Sequence, residues 1–224
     1  MPPAPPDRNA TVAAGPLTLG RVARDLTGHA SPWLLALFLS GALAARLAAG
    51  GWSWWDLLVP AVVLALEPFI EWVVHVSLLH FRPRALGPWR IEPYVARKHR
   101  AHHADPKDPA LVFVPLPDLL LLTAAATALP LLLAPAALAW TVTLSILAML
   151  TAYEWIHFLI HTPYRPRHAP YRALWRAHRN HHYRNERYWF GVTTHLGDRV
   201  LGTFPPRAAV PVSDTARTLG VSEA

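Results

Sequence analysis

Four long apolar stretches constrain this chain before any other feature does. "PWLLALFLSGALAARLAAG" occupies residues 32 to 50, and a second stretch runs from Trp54 to about Leu79. "LPDLLLLTAAATALPLLLAP" covers 116 to 135, and "AALAWTVTLSILAMLTAY" covers 136 to 153 before continuing into "EWIHFLIH". A helix needs about 20 apolar residues to cross a bilayer, so each stretch is near the required length. The links at 50–53 and near 135 are short, which pairs the spans into two helical hairpins. Pro60, Pro68 and Pro130 should kink their helices, which is tolerable where neighbours satisfy the freed carbonyls. Composition agrees, with 53% hydrophobic and only 16% charged residues, against about a quarter charged in soluble domains.

Four spans leave the N-terminus, the loop 82–108 and the C-terminal region on one side of the membrane. Outside the spans these regions carry 3, 7 and 10 basic residues, and only Arg46, near the far end of the first span, is left over. The positive-inside rule then places both termini in the cytoplasm and accounts for the net charge of +7 through topology, without a nucleic-acid partner. Trp52, Trp54 and Trp55 fit an aromatic belt on the far side. "MPPAPPDRNA" has neither a basic n-region nor an apolar h-region, so the first span is expected to direct insertion. Arginine outnumbers lysine 19 to 2 beside much Ala and Pro, the mark of a GC-rich genome. Together these predict a multi-pass protein of a bacterial inner membrane. Residues 1–16 and 205–224 read as disordered ends, and 17–204 as a single membrane domain. "LTLGRVARDLTGH" sets Leu19, Val22 and Leu26 at helical spacing, as a short helix lying in the headgroup region would.

The polar content of the chain is unusual in kind. Thirteen residues are histidine and none is cysteine, which removes disulfides, iron–sulfur clusters and thiolate-ligated haem. "RKHRAHH" (97–103) returns almost unchanged as "RAHRNHH" (176–182), and "EWVVH" (71–75) returns as "EWIH" (154–157). Each half of the chain therefore repeats one plan. A hairpin ends in a histidine pair, His75 and His80 or His157 and His161, and then comes H-x2-H-H, as His99, His102 and His103 or His178, His181 and His182. All ten fall at the same membrane face, which predicts an all-α integral membrane protein: four transmembrane helices as two hairpins under a cytoplasmic, histidine-rich helical cap.

Spacing supports ligation. On a helix each H-x2-H-H spreads its rings over roughly 100°, and His157 and His161 share a face. His75 and His80 do not, since five residues of α-helix set them about 140° apart. Either that turn is distorted or the two rings serve different ions. Imidazole suits Fe, Zn, Cu or Ni, whereas Mg or Ca would demand carboxylates. Ten ligands exceed what one ion takes, so two are implied. Neighbouring arginines would favour the neutral imidazole that ligation requires. Glu71 and Glu154, each about a turn before a histidine, read as acceptors of a ring N–H. Asp105 and Asp108 read as capping or turn residues, and His29 and His168 as surface residues.

The order H-x4-H, H-x2-HH, H-x3-H, H-x2-HH resembles the fatty acid hydroxylase / sterol desaturase superfamily of integral-membrane di-metal oxygenases, with spacing nearest the fatty acid 2-hydroxylase branch. "HHADPKDPALVFVPLP" is similar to the segment after that family's second box, and "HHYRNERYWFGVTTHLGDRVLGTF" to its closing segment. The resemblance implies an iron- and O2-dependent hydroxylation of a membrane lipid, with the ten histidines as ligands and zinc as another metal the site would accept. His195 and Asp198, in the closing segment, remain as further candidates. No H-P-G-G haem motif of a fused cytochrome b5 occurs in the chain, so a separate electron donor is expected. Two other readings stay open at this point. The same scaffold could desaturate a chain or hydroxylate a sterol or carotenoid, and a non-catalytic membrane haem or metal protein would also use histidines.

Overall fold

The computed structural model describes residues 17–221, so the expectation for 1–16 lies outside the described residues. Eight α-helices dominate them: α1 (Leu19–Leu26), α2 (Ala30–Ala49), α3 (Trp55–Val74), α4 (Tyr94–Ala104), α5 (Leu116–Leu133), α6 (Ala136–His161), α7 (Ala169–Tyr183) and α8 (Leu196–Val200). Four helical segments, Ala30–Ala49, Trp55–Leu79, Pro109–Leu133 and Ala136–His161, are long and apolar enough to cross a membrane. Their outer surfaces carry bare leucines such as Leu57, Leu121, Leu132 and Leu133. Such surfaces suit lipid, where apolar exposure carries no penalty.

The hairpins close where expected. Gly50 and Gly51 take φ of +58° and +60° between α2 and α3, a left-handed pair that glycine adopts without steric cost. Extended Ala134 and Pro135 separate α5 from α6. The longest helix, α6, packs against α2, α3 and α5. Buried Ala42, Ala126 and Ala139 keep the backbones close, as in other membrane bundles, and Thr143 Oγ1 donates to Ala126 O across α5 and α6 at 2.9 Å. Arg46 is a fixed element of the bundle. Its guanidinium meets Asp56 Oδ1 at 2.7 Å, donates to Thr141 Oγ1 at 2.7 Å and lies 3.9 Å over the Trp52 ring. This knot ties α2, α3 and α6 at the end opposite the histidines.

Three features depart from the sequence reading. A small antiparallel hairpin, β1 (Arg84–Leu86) with β2 (Trp89–Ile91), interrupts the loop after the second span. Helix α1 buries Val22 completely against Phe158, Leu159 and Tyr164 of the bundle, so its apolar stripe meets protein as well as the interface. The tail expected to be disordered is packed over 205–221. Val210 joins a core with Ala177 and Trp189, and Ala216 and Leu219 are also buried. Its prolines and small residues hid this, because the few apolar side chains that anchor it show no periodicity to read.

Candidate metal centre

The ten boxed histidines come together as two groups of five. His75, His80, His99, His103 and His181 form one, and His102, His157, His161, His178 and His182 form the other; in each, five ligand atoms lie within 4.8 Å of one another. The groups touch where His103 and His182 stand 4.2 Å apart, centroid to centroid. The division crosses the two halves of the chain. On α4, His99 and His103 join the first group while His102 joins the second. On α7, His178 and His182 join the second while His181 joins the first. Helical geometry requires this: positions i and i+4 lie about 40° apart, and i+3 swings about 60° to the other side. One H-x2-H-H helix thus serves two centres.

His75 and His80 share a group because the turn between them is distorted. Residues His75–Leu79 form a π-helical turn, and His80 N–H donates to His75 O at 3.0 Å. A five-residue turn aligns i with i+5 and brings the rings to 5.0 Å. The choice left open by spacing is therefore settled in favour of distortion.

Ring orientation comes from backbone carbonyls. Nδ1 of His75 meets Phe190 O at 2.8 Å, His181 meets Tyr188 O at 2.8 Å and His103 meets Ala216 O at 2.8 Å. In the second group His157 meets Val112 O and His161 meets Pro106 O, both at 2.9 Å. A carbonyl can only accept, so each such Nδ1 carries the proton and its Nε2 presents a lone pair. In the first group all five Nε2 atoms are buried without a partner. In the second, Nε2 atoms converge on one another, at 3.2 Å for His102 with His161, 3.2 Å for His157 with His178 and 3.0 Å for His178 with His182. His157 and His161, protonated at Nδ1, turn a buried lone pair toward a neighbouring Nε2, which is unfavourable unless a proton or a metal ion sits between them. Two nitrogens on opposite sides of an ion with bonds of about 2.1 Å stand about 4.2 Å apart, close to the observed spread. The donor set and its spacing fit a metal ion in each group.

Burial keeps these rings neutral. It holds His99, His102, His103, His178 and His182 well below the usual histidine range, and neighbouring imidazoles push the same way. His181 is brought down to about 4, chiefly by burial. Arginine contributes less than its place in the motif suggests. Arg82 adds only a minor push at His80, while Arg100 pairs with Glu92 at 2.5 Å and Arg179 stacks on Trp175 at 4.7 Å.

Glu71 and Glu154 hold loops and do not accept ring protons. Glu71 takes N–H bonds from Val192, at 2.5 Å, and Thr193. It thereby fixes the loop whose Phe190 carbonyl orients His75. Glu154 accepts from Val114 N at 2.9 Å and from Ser31 Oγ, fixing the loop whose Val112 carbonyl orients His157. The same device occurs in both halves: the carboxylate positions the backbone and the backbone positions the ring. The Nδ1 atoms of His75 and His157 are already occupied, which leaves the carboxylates free for amides that would otherwise be buried unpaired.

Asp198 acts alike, accepting from Phe190 N at 3.0 Å, Gly191 N at 2.8 Å and Thr203 Oγ1 at 2.5 Å. His195 stands outside both groups, its ring tilted against that of Phe204 at 4.5 Å. Trp189 has φ of +57°, a left-handed turn that costs a bulky residue about 1–3 kcal/mol. This turn aims the carbonyls on either side of Trp189 at two rings of the first group. Gly191 permits it, since a Cβ there would lie 2.0 Å from Thr194 O. Asp105 and Asp108 make the local turn and cap bonds expected of them, to Lys107 N and Ala110 N. His168 is exposed, whereas His29 is half-buried against Phe113 at 4.7 Å. The carbonyl acceptors were invisible in the sequence because every residue type has one.

Comparison with known proteins adds a family to this geometry. The sequence model of the fatty acid hydroxylase family matches residues 60–203. The chain belongs to that family. A dihydroceramide fatty acyl 2-hydroxylase, FAH2 of Arabidopsis thaliana, is 31% identical over 137 residues, covering 61% of this chain and 56% of its own. The fatty acid 2-hydroxylase of Homo sapiens is 30% identical over 143 residues, covering 63% and 38%. The chain thus spans between about two fifths and just over half of the length of these relatives. A solved structure described as full-length Scs7p, with only the hydroxylase domain visible, shares the fold. Its TM-score is 0.62 at 24% identity, over 87% of this chain and 69% of that one.

Proposed function

We propose that the two histidine groups each hold a metal ion, iron in the working protein, and that the pair supports O2-dependent hydroxylation of a lipid acyl chain. The observation that carries this reading is the set of ten imidazoles, nine buried and His80 half-buried, whose ligand atoms converge on two centres at one end of an apolar bundle. The ligands proposed are His75, His80, His99, His103 and His181 for one ion, and His102, His157, His161, His178 and His182 for the other. Zinc would fit the same nitrogens, but it has no redox chemistry. Glu71, Glu154 and Asp198 are positioning residues that act through the loops they hold.

An acyl C–H bond resists every side chain of a protein, and the bound metals supply the oxygen chemistry that breaks it. In the balance, one oxygen atom of O2 enters the C–H bond and the other leaves as water, with two electrons and two protons from a separate donor. The residues of this chain do the rest. Nδ1–H bonds to backbone carbonyls keep the lone pairs of five rings facing inward, and burial excludes water and keeps the rings unprotonated. The apolar walls of the spans admit an acyl tail from the bilayer. Arginines on the cap side face the headgroups of the cytoplasmic leaflet of a bacterial inner membrane.

The test is direct. Purified protein loaded with iron and given reductant, O2 and a fatty acid or ceramide should yield a product heavier by one oxygen atom. Label from ¹⁸O2 should appear in it. Absence of oxygenated product with both metals bound would count against the reading, and a product lighter by two hydrogens would favour the desaturase alternative.

A further inference from the structure

The family match ends at residue 203, yet the chain beyond it reaches back into the first histidine group. We propose that residues 213–220 are an integral part of that centre, fixing the ring of His103 and walling the cavity beside His80, so that metal retention there, and not at the second centre, depends on them. The inference rests on the metal reading above. Five rings receive an Nδ1 acceptor from the backbone, and four of those carbonyls, from Pro106, Val112, Tyr188 and Phe190, lie inside the matched region. The fifth is Ala216 O, at 2.8 Å from His103 Nδ1.

The segment is held where that bond needs it. Ser213 N donates to Arg184 O at 2.7 Å, and Thr215 Oγ1 donates to Glu186 Oε1 at 2.6 Å. Arg217 donates to His103 O at 3.4 Å and lies 5.5 Å over the Tyr183 ring. These contacts join the segment to α4, which carries His103, and to the end of α7. Ala216 and Leu219 are buried, and Leu219 closes one side of a cavity of about 320 Å³ that His80, Trp72 and Phe190 also line. Among the described residues no hydrogen bond runs from this segment to a ring of the second group. A ring that loses its N–H acceptor can turn or change tautomer, and such losses commonly weaken metal binding about ten- to a hundredfold.

Elemental analysis of purified chains separates the two centres. The full chain should hold two metal ions, and a chain lacking residues 213–224 should hold one. Adding His161→Ala to the deletion should leave almost none, whereas adding His80→Ala should change little, because that centre is already lost. Arg217→Ala keeps the segment and guards against misfolding of the deletion. It should surrender one of two ions to a competing chelator about tenfold faster or more, with partial rescue by Arg217→Lys. Two ions in the full chain and two in the deletion would overturn this inference alone, as would loss of both ions together. Fewer than two ions in the full chain would overturn the metal reading and this inference with it.

Discussion

His181 illustrates what one residue gives and withholds. Its type and spacing mark it as a ligand from the sequence, but neither its group nor the Tyr188 carbonyl that orients it can be read there. Histidines are legible because imidazole at helical spacing has few other uses at a membrane edge. Their acceptors are illegible because a carbonyl carries no side-chain signature, and Glu71 and Glu154 were misread for that reason. Without metal the buried rings make stability depend on pH. His181 titrates at about 4 in the fold against an ordinary 6.5, so below the higher value the unfolded chain binds the extra proton. The stability of neutral burial is complete above that window and lost as pH falls through it, by about 1.4 kcal/mol for each pH unit and ring that has to be kept neutral. Metal-free protein should show a melting temperature that drops steadily as pH falls from about 6.5 towards about 4. A flat profile would mean the rings are not buried neutral.

At the scale of elements, apolar length and short links were enough to place the four spans, and the repeated boxes were enough to place α4 and α7. The π-turn at His75–Leu79 could have been foreseen, since five-residue spacing in a helix demands either distortion or two destinations. The packed tail could not. Helix α8 tests how the elements support the centre. Gly197 sits so close to α3 that a Cβ would lie 2.3 Å from Pro68 O, and the next residue, Asp198, holds the Phe190 amide. Gly197→Val should push α8 away, at a cost of about 1–3 kcal/mol from overpacking. The displacement should also loosen the loop that orients His75, so retention at the first centre should weaken more than at the second. Competition with a chelator, followed by counting the ions that remain, checks this. Unchanged retention would show that α8 is not coupled to the loop.

The whole molecule separates its tasks along the membrane normal. Arg46, Asp56 and Thr141 lock one end of the bundle, and the histidines occupy the other, about 24 Å away along α6 from Thr141 to His157. Burial of Arg46 among three helices also accounts for a basic residue at the end of the bundle opposite the histidines. The absence of cysteine makes orientation easy to measure. Ser53→Cys should react with a membrane-impermeant thiol reagent added to intact cells, while Ala85→Cys in the hairpin β1–β2 should react only after the cells are opened. The reverse pattern would invert the topology.

X-ray absorption and elemental analysis of the iron-loaded chain test the central claim most directly. Two irons per chain with a first shell of nitrogen and oxygen, falling to one in His80→Ala and to one in His161→Ala, is the predicted result. A single iron per chain, a haem spectrum, or two irons that survive both substitutions would contradict it.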